Sequence, residues 1–198
     1  MRRFLDLTQC GPHTKVLDVG GNPRIWASVP APRRPDIVFL NLPRAFEEGD
    51  DRERLVFADG TRLPFANQSF DIVFSNSVIE HVGDSEAQVR FAKEVQRVGK
   101  AYWVQTPNRG FPVEQHLLTP FLHWLPRGMQ RAIAPRFTVW QILTKPDPIS
   151  RRFYVEHYLN DIRLLRRAEV AGLFPDANVM TERFAGLAKS WIAYKRPK

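Results

Sequence analysis

His81 follows Ile79-Glu80, and His116 stands two residues after Glu114 in a passage that runs from Thr106. An imidazole exchanges a proton near neutral pH, and a carboxylate beside it fixes which ring nitrogen carries the hydrogen. His116, His81 and Glu114 are therefore the candidate catalytic residues, with Glu114 as the orienting partner of His116. A histidine that merely packs its loop is the plain alternative for His81. His13, His123 and His157 show no ligand-like spacing and read as structural, and no metal site is indicated. A second kind of chemistry is offered by Val16-Leu17-Asp18-Val19-Gly20-Gly21-Asn22-Pro23. A glycine pair after an apolar run lets the backbone turn sharply and approach a ligand. In open α/β sheets ligands bind beyond the carboxyl ends of the strands, where such a turn lies. The full G-x-G-x-x-G pattern is missing, and so is an acid after the second strand, which argues against a nicotinamide dehydrogenase.

The elements that must position these residues are legible as short apolar runs. Lys15–Gly20, Asp36–Leu42, Arg54–Ala58, Phe70–Asn76 and Ala101–Gln105 are continuous rather than alternating, as in parallel strands covered on both faces. Between the fourth and fifth, Ala87, Phe91, Ala92, Val95 and Val98 recur at helical spacing, with Asp84 or Ser85 as N-cap. A strand–helix–strand unit of this kind implies a right-handed crossover and an α/β fold. The rhythm breaks after Thr106. Residues 107–152 are rich in proline, carry Phe111, Phe121, Trp124, Phe137 and Trp140, and set seven Lys/Arg against Glu114 and Asp147. They read as a substrate-side insertion in a single domain spanning 1–198. Val155 to Gly172 reads as one helix with Leu159, Ile162, Leu165 and Ala168 on one face, followed by two strands near Asn178–Phe184 and Ser190–Tyr194.

A chain of 198 residues with 43% hydrophobic and 25% charged residues suits one globular domain. Its lone cysteine, Cys10, excludes an internal disulfide and a multi-cysteine zinc site. Asp6 interrupts what could serve as the apolar part of a signal peptide, and no apolar run is long enough to span a bilayer. A cytoplasmic protein is expected. The net charge of +8 attracts anions. The stripe through 120–136, with Phe121, Leu122, Trp124, Leu125, Met129 and Ile133 beside Arg127, Arg131 and Arg136, reads as a packed helix or, alternatively, as a peripheral contact with the inner face of an anionic membrane.

One passage is more specific. Ala58-Asp59-Gly60-Thr61-Arg62-Leu63-Pro64-Phe65 precedes Ser69-Phe70-Asp71-Ile72-Val73 and then Ile79-Glu80-His81. With Val16–Gly21 and Arg97-Val98-Gly99-Lys100, it resembles the class I S-adenosylmethionine-dependent methyltransferases, and within them the methyltransferase type 11 group. The resemblance covers about residues 15–107, with Phe184 to Lys195 as its closing strands. It implies a Rossmann-like three-layer sandwich, a mostly parallel seven-stranded sheet with an antiparallel closing strand, and S-adenosyl-L-methionine as cofactor. It implies that Asp18, Gly20 and Gly21 shape the methionine pocket, and that Asn41, beside Leu42, stands where the family has an acid for the ribose. Asp59, beside Gly60, would accept from the adenine amino group, and Asn76 would line the reactive end. Asn22 and Asn41 depart from the family pattern. The expected activity is methyl transfer to a small-molecule or lipid-linked acceptor, with oxygen favoured because histidine bases stand near the mouth. A non-catalytic cofactor-binding scaffold and a nucleic-acid methyltransferase are the alternatives, the latter without an aromatic-basic binding motif to support it.

Overall fold

The computed structural model describes residues 1–43 and 54–197. Its chain runs α1 (Arg2–Thr8), β1 (Lys15–Val19), α2 (Pro23–Ala27), β2 (Asp36–Asn41), β3 (Leu55–Phe57), β4 (Phe70–Asn76), α3 (Ser85–Val98) and β5 (Gly99–Pro107). There follow β6 (Val113–Glu114), β7 (Thr119–Pro120), α4 (Arg127–Ile133), α5 (Val139–Thr144), α6 (Pro148–Asp161), α7 (Arg167–Leu173), β8 (Asn178–Phe184) and β9 (Leu187–Lys195). Seven strands form one sheet in the order β3-β2-β1-β4-β5-β9-β8, and β6 pairs with β7 separately. The pairs among β1 to β5 are parallel, whereas β9 lies antiparallel between β5 and β8. This is the mostly parallel, seven-stranded α/β sheet expected from the sequence.

Alternate residues of each strand feed opposite faces. Leu17, Val19, Leu40, Val73, Tyr102 and Val104 pack against Phe91, Val95 and Val98 of α3 and Val170 and Phe174 of the α7 region. Val16, Ile37, Phe39, Ile72, Phe74 and Trp103 pack against Phe4, Leu5 and Trp26 on the other side. Both faces are covered, which is why the strands read as unbroken apolar runs. Asp84 caps α3 by accepting from the Ala87 amide at 2.8 Å. A third cluster, Leu117, Leu122, Ala134, Val155, Tyr158 and Ile162, forms the interior of the segment after β5. Within 120–136 only Leu122, Gln130 and Ala134 are buried, while Phe121, Trp124 and Met129 are exposed. The stripe is thus a short 3-10 turn and α4 rather than one packed helix.

Two expectations need correction. Val155–Gly172 is not one helix: α6 ends at Asp161 and α7 starts at Arg167. The gap is held open by tertiary hydrogen bonds, because the Arg163 amide donates to the Glu80 carbonyl at 2.8 Å and the Gln88 side chain donates to the Arg163 carbonyl at 2.9 Å. Leu165 bridges to Asn108 and accepts from the Arg109 amide at 3.0 Å. Ala168 accordingly lies exposed, and Val170 takes the buried position. The last strand is also longer than expected, running from Leu187 to Lys195.

Candidate active site

The turn after β1 is built tightly. Gly20 adopts φ +76° and donates its amide to the Leu40 carbonyl at 2.7 Å; a Cβ there would come 2.4 Å from Val78 Cγ2. A Cβ on Gly21 would fall 1.8 Å from Asp18 Oδ2. Asp18 is wholly buried, and its Oδ2 accepts from Trp26 Nε1 at 2.6 Å while Oδ1 has no partner among the described residues. Burial pushes its carboxyl up to about 7, only partly offset by the Trp26 hydrogen bond. Asn22 caps α2, accepting from the Arg24 amide at 2.9 Å, with Pro23 at the first helical position. Asn41 Nδ2 donates to the Gly21 carbonyl at 2.7 Å. An acid at that position could not make this bond, because a carboxylate only accepts. Both departures from the family pattern therefore serve the turn itself.

The other nucleotide-side candidates line the same sheet edge. Asp59, two residues beyond β3, is exposed and oriented by the Thr61 amide, which donates to Oδ1 at 2.7 Å. Gly60 packs where a Cβ would sit 3.0 Å from Phe91 and 3.2 Å from Val19. Leu42 and Asn76 are exposed just past β2 and at the end of β4. The turn without side chains at Gly20 and Gly21 and the acceptor groups of Asn41, Asp59 and Asn76 thus share the carboxyl edge of β1 to β4.

A second group gathers at the carboxyl ends of β4 and β5. Glu80 is fully buried; its Oε2 accepts from the Thr106 hydroxyl at 2.9 Å and its Oε1 has no partner. Burial pushes this carboxyl up to about 7. His81 Nε2 lies 3.9 Å from Glu80 Oε1 and 3.2 Å from His116 Nε2. His116 Nδ1 is 2.6 Å from Oε1 of the fully buried Glu114, whose Oε2 accepts from the Leu117 amide at 2.6 Å. On the other side His81 Nδ1 meets His157 Nε2 at 3.2 Å, and His157 Nδ1 meets Asp161 Oδ2 at 2.8 Å. Burial first, then the neighbouring histidines, hold His81 down at about 4, so it is neutral at physiological pH.

The structure thus brings His81, His116 and Glu114 together, as singled out from the sequence, and adds Glu80, His157 and Asp161. His157 is a member of this array rather than a separate packing residue. Its helical i,i+4 pairing with Asp161 was the one signal available, and nothing in the chain order joins it to His81, 76 residues away. Three ligand-type residues, Glu80, His81 and His116, converge with their donor atoms within 4.8 Å of one another, where the sequence indicated no metal site.

Beside β5 opens a cavity of about 970 Å³ lined by Arg109, Arg127, Arg163, Arg166 and Arg167 and by no acidic residue. Trp191 Nε1 and His123 Nδ1, both on its wall, are buried without a hydrogen-bond partner. The Trp191 N–H and the guanidinium groups, of which Arg163 is already paired with Glu169 at 2.6 Å, make a surface suited to anions.

Residues 35–101 match the family described as Methyltransferase domain. A relative from Mycobacterium sp. (strain JLS), described as an uncharacterized methyltransferase, is 42% identical over 73 residues, which are 35% of this chain and 29% of the relative. The match therefore spans less than a third of that relative's length. Among solved structures, one described as putative Zn-dependent alcohol dehydrogenases from Rhodobacter sphaeroides superposes with TM-score 0.66 at 12% identity, over 100% of this chain and 88% of that one. One described as SAM-dependent methyltransferases from Methanosarcina mazei superposes with TM-score 0.56 at 14% identity, over 100% of this chain and 99% of that one. At such identities the two structures speak for a shared fold alone. Among the described residues no helix is long and apolar enough to cross a membrane.

Proposed function

We propose that this chain is a class I methyltransferase, on its fold and its match over residues 35–101, and that it moves the methyl group of S-adenosyl-L-methionine to a hydroxyl oxygen of a small or lipid-linked acceptor. The cofactor supplies an electrophilic methyl on its sulfonium, and the chain's residues bind, orient and remove a proton. Gly20 and Gly21, packed on Val78 and Asp18, would shape the turn for the methionine portion, Asn41 and Leu42 would lie against the ribose, Asp59 and Gly60 would receive the adenine, and Asn76 would face the reacting end. These groups fit: Asp59 and Asn76 offer exposed acceptors and Asn41 a half-buried one along the sheet edge where Gly20 and Gly21 let the turn pack closely.

The observation that carries the oxygen reading is the buried Glu114 behind His116 at 2.6 Å. Glu114 keeps the hydrogen on Nδ1, so Nε2 presents its lone pair to an acceptor hydroxyl; His81 beside it is kept neutral and adds no positive charge. A nitrogen or carbon acceptor would have less use for such an array. The arginine-lined cavity supports an acceptor that carries a negatively charged group. Exposed Phe121, Trp124 and Met129 beside Arg127, Arg131 and Arg136 support delivery of that acceptor from an anionic membrane surface.

The test is calorimetric titration with S-adenosylmethionine and S-adenosylhomocysteine, beside Asp59→Ala. Binding by the unsubstituted protein that the variant weakens by about 10- to 100-fold, a charged hydrogen bond's worth, supports the reading. Absence of binding to the unsubstituted protein would leave a scaffold without cofactor.

A further inference from the structure

The hydrogens of the histidine array can be assigned from its two ends. Glu114 and Asp161 are carboxylates and only accept, so His116 and His157 carry their hydrogens on Nδ1. In a neutral ring His157 Nε2 then has a lone pair, and the contact of 3.2 Å with His81 is a hydrogen bond with His81 donating from Nδ1. The two rings lie parallel to within 1°, with centroids 5.2 Å apart. His81 is thereby left with a bare Nε2. That atom faces the equally bare Nε2 of His116 at 3.2 Å, with the two rings nearly perpendicular at 83°. Next to both is Glu80 Oε1, buried and without a partner. Three acceptor groups converge on one spot.

A cation held there would contact all three. A single proton shared between the imidazoles would satisfy two of the three acceptors. It would not reach Glu80, because 3.9 Å from Oε1 to His81 Nε2 is too long for a hydrogen bond. Two ligands of one ion behave differently. With bonds of about 2.0–2.1 Å, tetrahedral neighbours stand about 3.3–3.4 Å apart and ligands of any geometry up to about 4.2 Å apart. The separations of 3.2 and 3.9 Å fall at or inside those limits, and Glu80 and His116 stand within 4.8 Å of each other, so a small side-chain adjustment closes the set. Metal-binding histidines characteristically give their second N–H to a carboxylate or another acceptor, and both imidazoles here do so.

We propose that Glu80 Oε1, His81 Nε2 and His116 Nε2 form a three-ligand site for a divalent transition-metal ion of the zinc class, with at least one coordination position open. Two imidazoles and one carboxylate suit such ions better than they suit magnesium or calcium, which favour oxygen. Glu114 and, through His157, Asp161 are positioning residues that set the imidazole tautomers. The site stands on this geometry alone. Its consequence for catalysis rests on the methyl-transfer reading: an acceptor hydroxyl on the open position would be acidified by the ion, with its proton released to solvent, and His116 would act as ligand instead of free base.

The probe is cobalt(II) added to chelator-stripped full-length protein without cofactor, followed by its visible ligand-field absorption and by equilibrium dialysis. Expected are one ion per chain at micromolar concentration, an intense four- or five-coordinate spectrum, displacement by zinc, loss of that spectrum in His116→Ala, and about 10- to 100-fold weaker binding in Glu114→Gln. Circular dichroism of both variants separates lost ligation from lost folding, and Glu80→Gln, which keeps an acceptor for Thr106, supplies a third readout. Absence of stoichiometric cobalt binding, or binding that survives His116→Ala in a folded protein, overturns the proposal. Titration of the same preparation with S-adenosylmethionine reports separately on the methyl-transfer reading, so the failure of one is not mistaken for the failure of the other.

Discussion

Replacing Asp18 with asparagine turns the burial of this carboxyl into a measurable slope. The side chain is sealed beneath the β1 turn, Trp26 satisfies one oxygen, and the other has no partner. Its proton is therefore easier to keep in the folded chain than in the unfolded one, with a pKa raised from 3.8 to about 7. Between those values the native state binds more protons than the unfolded state, so stability falls as pH rises. The contribution is whole below about pH 4 and is lost by the time pH passes about 7. At 1.36 kcal/mol per pKa unit, a rise of about three units corresponds to roughly 4 kcal/mol across the window. The substituted amide cannot ionise, so the variant lacks this slope whatever fixed cost the new side chain adds. Urea unfolding followed by tryptophan fluorescence, at intervals from about pH 5 to about pH 7, should show the stability difference between the two proteins shifting towards the variant by roughly 2 kcal/mol. Parallel stability curves would refute the reasoning, because they would mean that water or an unseen donor already solvates Oδ1.

Gly21→Ala forces a Cβ to within 1.8 Å of Asp18 Oδ2 unless the turn moves. A loss of at least about 3 kcal/mol is expected in thermal or urea unfolding, partly recovered when Asp18→Ala is added; additive losses would count against the contact. Asn41→Asp sets a carboxylate oxygen against the Gly21 carbonyl in place of the donor now 2.7 Å away. Although it restores the acid expected of the family, it should destabilise the protein by about 1–3 kcal/mol in urea unfolding above pH 6 or so, and unchanged stability would remove the structural reason for the amide.

The sheet was legible because its physics is local. Val16–Val19, Ile37–Leu40 and Ile72–Phe74 are apolar without a break because each strand is covered on both sides, and that pattern survives in the bare sequence. Helix α3 announced itself by Asp84 and by the spacing of Phe91, Val95 and Val98 for the same reason. The break at 162–166 did not, since Ile162 and Leu165 keep helical spacing while the segment is held extended by partners at Glu80, Gln88 and Asn108. At the site, the pairing of Glu114 with His116 could be read from a separation of two residues. His157 reaches His81 only after α6 folds over the segment that follows β4, and Glu80 is singled out by a lack of partners that no sequence displays. Asn41 looked like a defect because its partner, the Gly21 carbonyl, is a backbone atom without a sequence signature.

The position of β9 also bears on the order in which the chain can assemble. β8 is made first, yet in the sheet it touches only β9, and β9 alone connects it to β5 through pairings such as Tyr102 with Lys195. Until residues 187–195 are available, the ladder stops at β5 and β8 has no edge to join. During synthesis, β5 with its apolar Trp103 and Val104 would present an unpaired strand border that needs shielding from other chains. Closure comes as a single late event that secures two strands at once, so a chain halted short of β9 forfeits the whole hairpin and leaves a template for aggregation.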